Sequence, residues 1–148
     1  MRFLLISPEI QSEVDKVLLF AEKKENWYHP TPADYEELPL GDAKRPGNDP
    51  NYQIQLGSYH CVFSYTETEQ GIFKQLSVRV PGAPPNTAPM IIAVEEIAKM
   101  FKFNEDPRYW QLSLDNCRPA CAVVLEPIEV KDPVFKAQWD EVLKSRGI

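Results

Sequence analysis

Cysteine, glycine and histidine are scarce in this chain, at three, six and two residues of 148. An odd, low count of cysteines excludes a disulfide framework, which a domain of this size does not need, and the thiols are expected to be reduced. The glycines are scattered, so neither a Walker loop nor a Gly-x-Gly-x-x-Gly turn is there to cradle phosphate. With only His29 and His60 as imidazoles, a serine or cysteine nucleophile has few bases to draw on, and no Gly-x-Ser-x-Gly elbow accompanies them. Long hydrophobic runs are also missing. The first apolar stretch, Phe3 to Ile6, gives way to Ser7-Pro8; it is too short for a signal-peptide core or a membrane span, and the protein reads as cytoplasmic with no membrane contact. No like-charge run reaches the ~5 residues of an acidic or basic tail. The net charge of -6 and a pI near 5.0 weigh against a phosphate-tracking surface, so nucleic acid is not an expected partner.

What is present is patterned. Hydrophobic residues make up 43% of the chain, enough for one core, and a single domain over residues 1–148 is expected. Two alternating runs between Ser58 and Val80 flank one turn and specify a β-hairpin. Tyr59, Cys61, Phe63 and Tyr65 share one face of its first strand, and Leu76, Val78 and Val80 share one face of its second. Joining those apolar faces places Phe63 opposite Val78 and Tyr65 opposite Leu76. That odd pairing sum suits a two- or four-residue loop around Gln70-Gly71. His60, Val62, Ser64 and Thr66 then fall on the other face beside Gln75, Ser77 and Arg79.

Around the hairpin, Ser7-Pro8 opens an amphipathic helix over Pro8 to Glu25, with Ile10, Val14, Val17, Leu18 and Ala21 on one side. Residues 26–57 hold five prolines and read as one long irregular segment. Its first half is expected to pack down through Trp27, Tyr28, Tyr35 and Leu38, with one helical turn from Thr31-Pro32, and 41–50 is expected to be its mobile part. Thr87 is a candidate cap for a helix carrying Met90, Ile91, Val94, Ile97, Ala98 and Phe101, widened by Ile92, Ala93 and Met100. Tyr109 to Leu114 and Ala122 to Leu125, with Ile128 and Val130, suggest a second hairpin, and Asp132-Pro133 starts a helix with Phe135, Trp139, Val142 and Leu143 on one face. The expected fold is therefore α+β: an antiparallel or mixed sheet of four to five strands with helices mainly on one face. A ferredoxin-like βαββαβ core with an added C-terminal helix is the first topology to test, with residues 3–6 as its first strand.

The chemistry-bearing residues do not assemble into a motif. His60, Cys61, Cys117 and Cys121 are zinc-ligand types, but neighbours on a strand point to opposite faces, which separates His60 from Cys61. Cys117 and Cys121 could form a redox pair, although the three-residue spacing with Pro119 departs from the usual Cys-x-x-Cys. No catalytic residue, metal or cofactor is assigned. The leading expectation is a non-enzymatic binding or regulatory domain that meets a protein partner through the polar sheet face, His60, Ser64, Ser77 and Arg79, and the aromatic segment with Trp27, Tyr28, His29 and Tyr35. The alternative is a small-molecule binder or small enzyme with a pocket near His60 and Arg79, covered by the 26–57 loop. Self-association through Val62 and Phe73 is a third option.

Overall fold

The structure, a computed structural model, describes residues 7–29, 53–79, 88–117 and 121–148. Helix α1 (Pro8–Glu22) starts where the sequence places it. The Ser7 hydroxyl accepts the Ile10 amide at 3.2 Å, and Pro8 occupies the first position, where its missing N–H costs nothing. The helix stops short of Glu25 because Lys23 turns extended and Lys24–Asn26 winds into a 3-10 turn. Side chains beyond the helix take over its last carbonyls: Asn26 donates to Phe20 at 2.8 Å and the Trp27 indole donates to Ala21 at 2.9 Å.

Five strands follow: β1 (Gln53–Leu56), β2 (Tyr59–Thr68), β3 (Gly71–Arg79), β4 (Gln111–Cys117) and β5 (Cys121–Val130). Helix α2 (Ala88–Met100) separates β3 from β4, and α3 (Pro133–Ser145) follows β5. The sheet is antiparallel throughout in the order β1-β2-β3-β5-β4. The α+β class is thus the observed one. The described strands do not form the ferredoxin-like interleaving, because both sides of β3 are taken, by β2 and by β5. The expected strand at residues 3–6, the helical turn at 31–38, Tyr35, the segment 41–50 and the Thr87 cap lie outside the described residues.

β1 corrects the expectation that 26–57 is irregular throughout: Gln53, Ile54, Gln55 and Leu56 alternate polar and apolar, and Gly57 supplies the positive φ of 63° for the turn into β2. In the next hairpin the expected parity holds but the pairs move by two residues: Cys61 faces Val78, Phe63 faces Leu76 and Tyr65 faces Lys74. The loop is Glu69-Gln70. Gly71 has left the turn to begin β3, where a Cβ would collide with the Glu129 carbonyl oxygen of β5. A two-residue slip keeps every face assignment, so the apolar side survives the correction.

That side carries Ile54, Leu56, Tyr59, Cys61, Phe63, Leu76, Val78, Ala122 and Val124, and both α1 and α2 pack on it. α2 buries Ala93, Val94, Ile97, Ala98 and Met100 but leaves Ile92 exposed, so its covered stripe is narrower than expected there. α3 behaves differently. Phe135 meets Phe73 edge-on at 5.6 Å, and Phe73 is out of phase with Leu76 and Val78, so α3 sits against the second face of the sheet. Its far end is tied to the segment before β4, where the Arg146 guanidinium donates to the Arg108 and Trp110 carbonyls at 2.8 and 3.3 Å. α3 therefore crosses one end of that face, from β3 toward β4. A register shift between Ile72 and Phe73 leaves Ile128 as an extra residue of β5. Pro127 sits at this bulge and beyond the last β4–β5 pair, where a strand tolerates a residue without N–H.

Replacing Gly71 with alanine tests the close approach of β3 and β5. Gly71→Ala is expected to lower stability by more than about 1 kcal/mol, because a side chain cannot enter without moving the Glu129 backbone. Urea denaturation at equilibrium measures it, and an unchanged midpoint would show that this end of the sheet relaxes freely.

Candidate functional site

On the second face, the strand order brings distant residues into one transverse row. Gln55 pairs with His60, His60 with Arg79, Arg79 with Cys121, and Cys121 with Cys117. The next rows pair Val62 with Ser77 and Ser64 with Gln75. His60, Ser64, Ser77 and Arg79, read from sequence as one side of a hairpin, are neighbours in a half-buried polar ladder. The His60 Nε2 lies 3.2 Å from the Gln53 side-chain oxygen, so β1 helps to hold the imidazole in place. Toward the α3 end the ladder turns apolar, with Phe73 opposite Thr66, both buried. Phe73 is therefore occupied by Phe135, and the self-association surface proposed through Val62 and Phe73 loses one of its two residues.

The aromatic segment resolves into packing. Trp27 stacks on Tyr65 at 5.7 Å while its indole caps α1, which makes it a seal on the end of the core. Tyr28 is buried, and its backbone extends the sheet by a parallel bridge to Thr66: its N–H donates to Tyr65 at 2.9 Å and its carbonyl accepts from Glu67 at 3.0 Å. His29 stays exposed, with Nδ1 3.9 Å from the Glu67 carboxylate. Lys131 donates to that same carboxylate at 2.9 Å, and this bond, with His29 contributing less, holds the Glu67 carboxyl below its usual range. His29 is thus brought to Glu67 and Lys131 rather than to His60 and Arg79.

A second constellation lies on the core face and was not anticipated. Lys74 is in phase with Leu76 and Val78, and Glu126 is in phase with Ala122 and Val124. Alternation therefore sends both charges toward the apolar layer. They pair with Nζ and Oε2 4.0 Å apart, each side chain only 11% exposed. Both reach the segment after α2: the Lys74 ammonium donates to the Lys102 carbonyl, and the Glu126 carboxylate accepts the Asn104 amide at 3.2 Å. Burial pushes the Glu126 carboxyl up against the opposing pull of Lys74 and Asn104, and burial pushes the Lys74 ammonium down against Glu126 and Glu22. Tyr65, beside them, is raised by burial and then by Glu22 and Glu126.

The segment they hold has its own constraint. α2 ends with the Phe103 amide donating to Ala98 and the Lys102 amide to Lys99, a Schellman arrangement that puts Lys102 in the left-handed region at φ 58°, where glycine is the usual residue. A groove of about 610 Å³ opens alongside, lined by Lys99, Lys102, Phe103 and Glu105. The signal for this site was in the sequence, as a lysine and a glutamate at core-phase positions of two strands. Which strands would become neighbours was not.

The cysteine readings narrow. Cys61 is fully buried on the core face and its thiol is pushed up to about 12 by burial, so it is no nucleophile at neutral pH. Register places Cys117 opposite Cys121, and Cys121 is buried. Among the described residues no group of three or more His, Cys, Asp or Glu side chains is placed to hold a metal ion. None of their helices is long and apolar enough to cross a membrane. No family model, curated protein or solved structure matches this chain.

Two measurements probe these assignments. Cys61 should resist alkylation at about pH 8 in the native protein and react only as fast as the fold opens, read by mass-spectrometric mapping of the labelled peptide. Rapid native labelling at Cys61 would contradict its burial. Lys102→Gly should raise stability by roughly 1 kcal/mol by relieving the left-handed backbone, seen as a higher denaturation midpoint. A drop would mean that the lysine side chain contributes more than its backbone costs.

Proposed function

We propose that this domain is a non-enzymatic binding or regulatory module that presents the second face of its sheet to a protein partner. The observation that supports this reading is the ladder of His60 with Arg79, Val62 with Ser77 and Ser64 with Gln75, which lies on the face away from α1 and α2 while α3 crosses its far end. Three successive rows mixing imidazole, guanidinium, hydroxyls and amide offer several directional hydrogen bonds with one fixed positive charge among them, which suits a polar or acidic partner surface. Trp27 and Tyr28 no longer carry this reading, since both are engaged in packing. The thiol at Cys61 and the acidic composition are in keeping with a cytoplasmic setting.

The adjacency of His60 and Arg79 favours a second reading, a small anionic molecule held between imidazole and guanidinium. In that case the His60 ring resonances should shift saturably with added phosphate or acetate at fixed ionic strength, and Arg79→Gln should abolish the effect.

For the module reading, Arg79→Glu on the full chain is expected to weaken retention of a partner captured from native extract by at least about tenfold, with the melting temperature unchanged. Equal capture by wild type, Arg79→Glu and His60→Ala would remove this face from consideration.

A further inference from the structure

The buried charges on the core face have no part in the function proposed above. Two ionisable side chains in an apolar layer normally cost the fold more than well-packed apolar residues would, so the arrangement of this pair invites an explanation beyond stability. Each charge holds a different backbone group of one short segment: Lys74 takes the Lys102 carbonyl and Glu126 takes the Asn104 amide. That segment carries a strained residue, Lys102 at φ 58°, and it lines the groove with Lys99, Phe103 and Glu105. A non-glycine residue in the left-handed region persists when its surroundings over-determine it, and here the Lys74 bond is part of those surroundings.

We propose that the Lys74–Glu126 pair is a proton-operated latch, in which proton uptake by Glu126 releases the Lys102–Glu105 segment and reshapes the groove beside it. The proton comes from solvent and no other covalent bond is made or broken. A neutral Glu126 accepts the Asn104 amide more weakly and no longer offsets the Lys74 ammonium. The ammonium then sits over the Phe103 ring, 5.5 Å from its centre, with only the Lys102 carbonyl as hydrogen-bond acceptor. The charged and titratable groups facing the pair are Glu22 from α1, Tyr65 from β2 and Lys102 from the segment itself. Glu22 is exposed on α1 and acts on Lys74 less strongly than Glu126 does, so it is a bystander to the latch. Phe101 before the segment and Trp110 after it are buried in the core, so the release is confined to the segment.

The sign of the linkage separates this from acid unfolding. Glu126 has its folded-state value raised above the unfolded one, so its contribution to stability is present below the unfolded value and is lost as pH rises through the folded value. Within that window acid does not unfold the protein through Glu126; the folded state takes up the proton more readily than the unfolded chain, and the change is one of local structure.

Amide hydrogen exchange of the full-length protein, expressed as protection factors from about pH 8 to about pH 4, tests the latch. Protection at Lys102 to Asn104 should fall by at least about tenfold as Glu126 titrates, while β2 and β3 amides stay protected. Glu126→Gln should show the low protection at every pH, and Glu22→Gln should keep the wild-type profile. If Glu126→Gln does not fold, the paired change Lys74→Met with Glu126→Leu replaces both charges by apolar groups and should give a flat profile. A flat wild-type profile overturns the proposal. So does a pH dependence that survives in either Glu126 variant or disappears in Glu22→Gln. None of these outcomes bears on the ladder of the opposite face.

Discussion

The burial of Phe63 is the contact on which the two layers depend. Its ring is fully enclosed at the middle of β2, stacked on Phe101 at 5.1 Å and met edge-on by Tyr65 at 5.7 Å and Phe103 at 6.2 Å. Those partners come from the sheet, from the end of α2 and from the segment beyond it, so one side chain fixes how the helix layer sits over the strands. Once Phe63 faces inward, strand pleating forces Cys61, Tyr59 and Tyr65 inward with it, and cross-strand pairing carries the same choice to Leu76, Val78, Val124 and Ala122. Phe103 then bridges to Trp110 at 6.2 Å, whose indole donates to Asn104, and the segment after α2 is pinned to the core by its aromatics.

The same phase relation explains why two charges are inside. Lys74 and Glu126 are in phase with Leu76 and Val124, so with no bulge between them the register that makes the core also turns both charges inward. Mutual neutralisation and two backbone bonds offset part of the cost of burying them. α2 ends at this corner, and the C-terminal carbonyls of a helix favour a positive charge, which is where Lys74 places its ammonium.

On the other face the constraint runs in reverse. Where α3 lies across the end of the sheet, Phe73 and Thr66 are buried, and the Thr66 hydroxyl is left without a hydrogen-bond partner. Beyond it, His60 with Arg79, Ser77 and Ser64 stay half-buried in three successive rows. α3 itself fully buries none of its residues: Phe135, Trp139, Val142 and Leu143 are half-buried along one side, Phe135 meets Phe73, and Arg146 after the helix donates to the carbonyls of Arg108 and Trp110.

Much of this is legible in the sequence itself. Alternation in β2 and β3 decided their faces, helical spacing found α1, α2 and α3, and Ser7-Pro8 and Asp132-Pro133 marked two helix starts, the latter with the Asp132 carboxylate accepting the Val134 amide at 2.9 Å. β1 was legible too, as Gln-Ile-Gln-Leu, but prolines on its N-terminal side concealed it. What sequence could not decide was which strands lie side by side. Period two tells each residue which face it occupies and nothing about its neighbour on a strand far away in the chain. The placement of β5 beside β3 therefore set Lys74 against Glu126 and Arg79 against Cys121, and tertiary packing alone sent α3 to the second face. The faces follow from local sterics of the backbone, whereas the neighbours follow from the order in which the strands close the sheet.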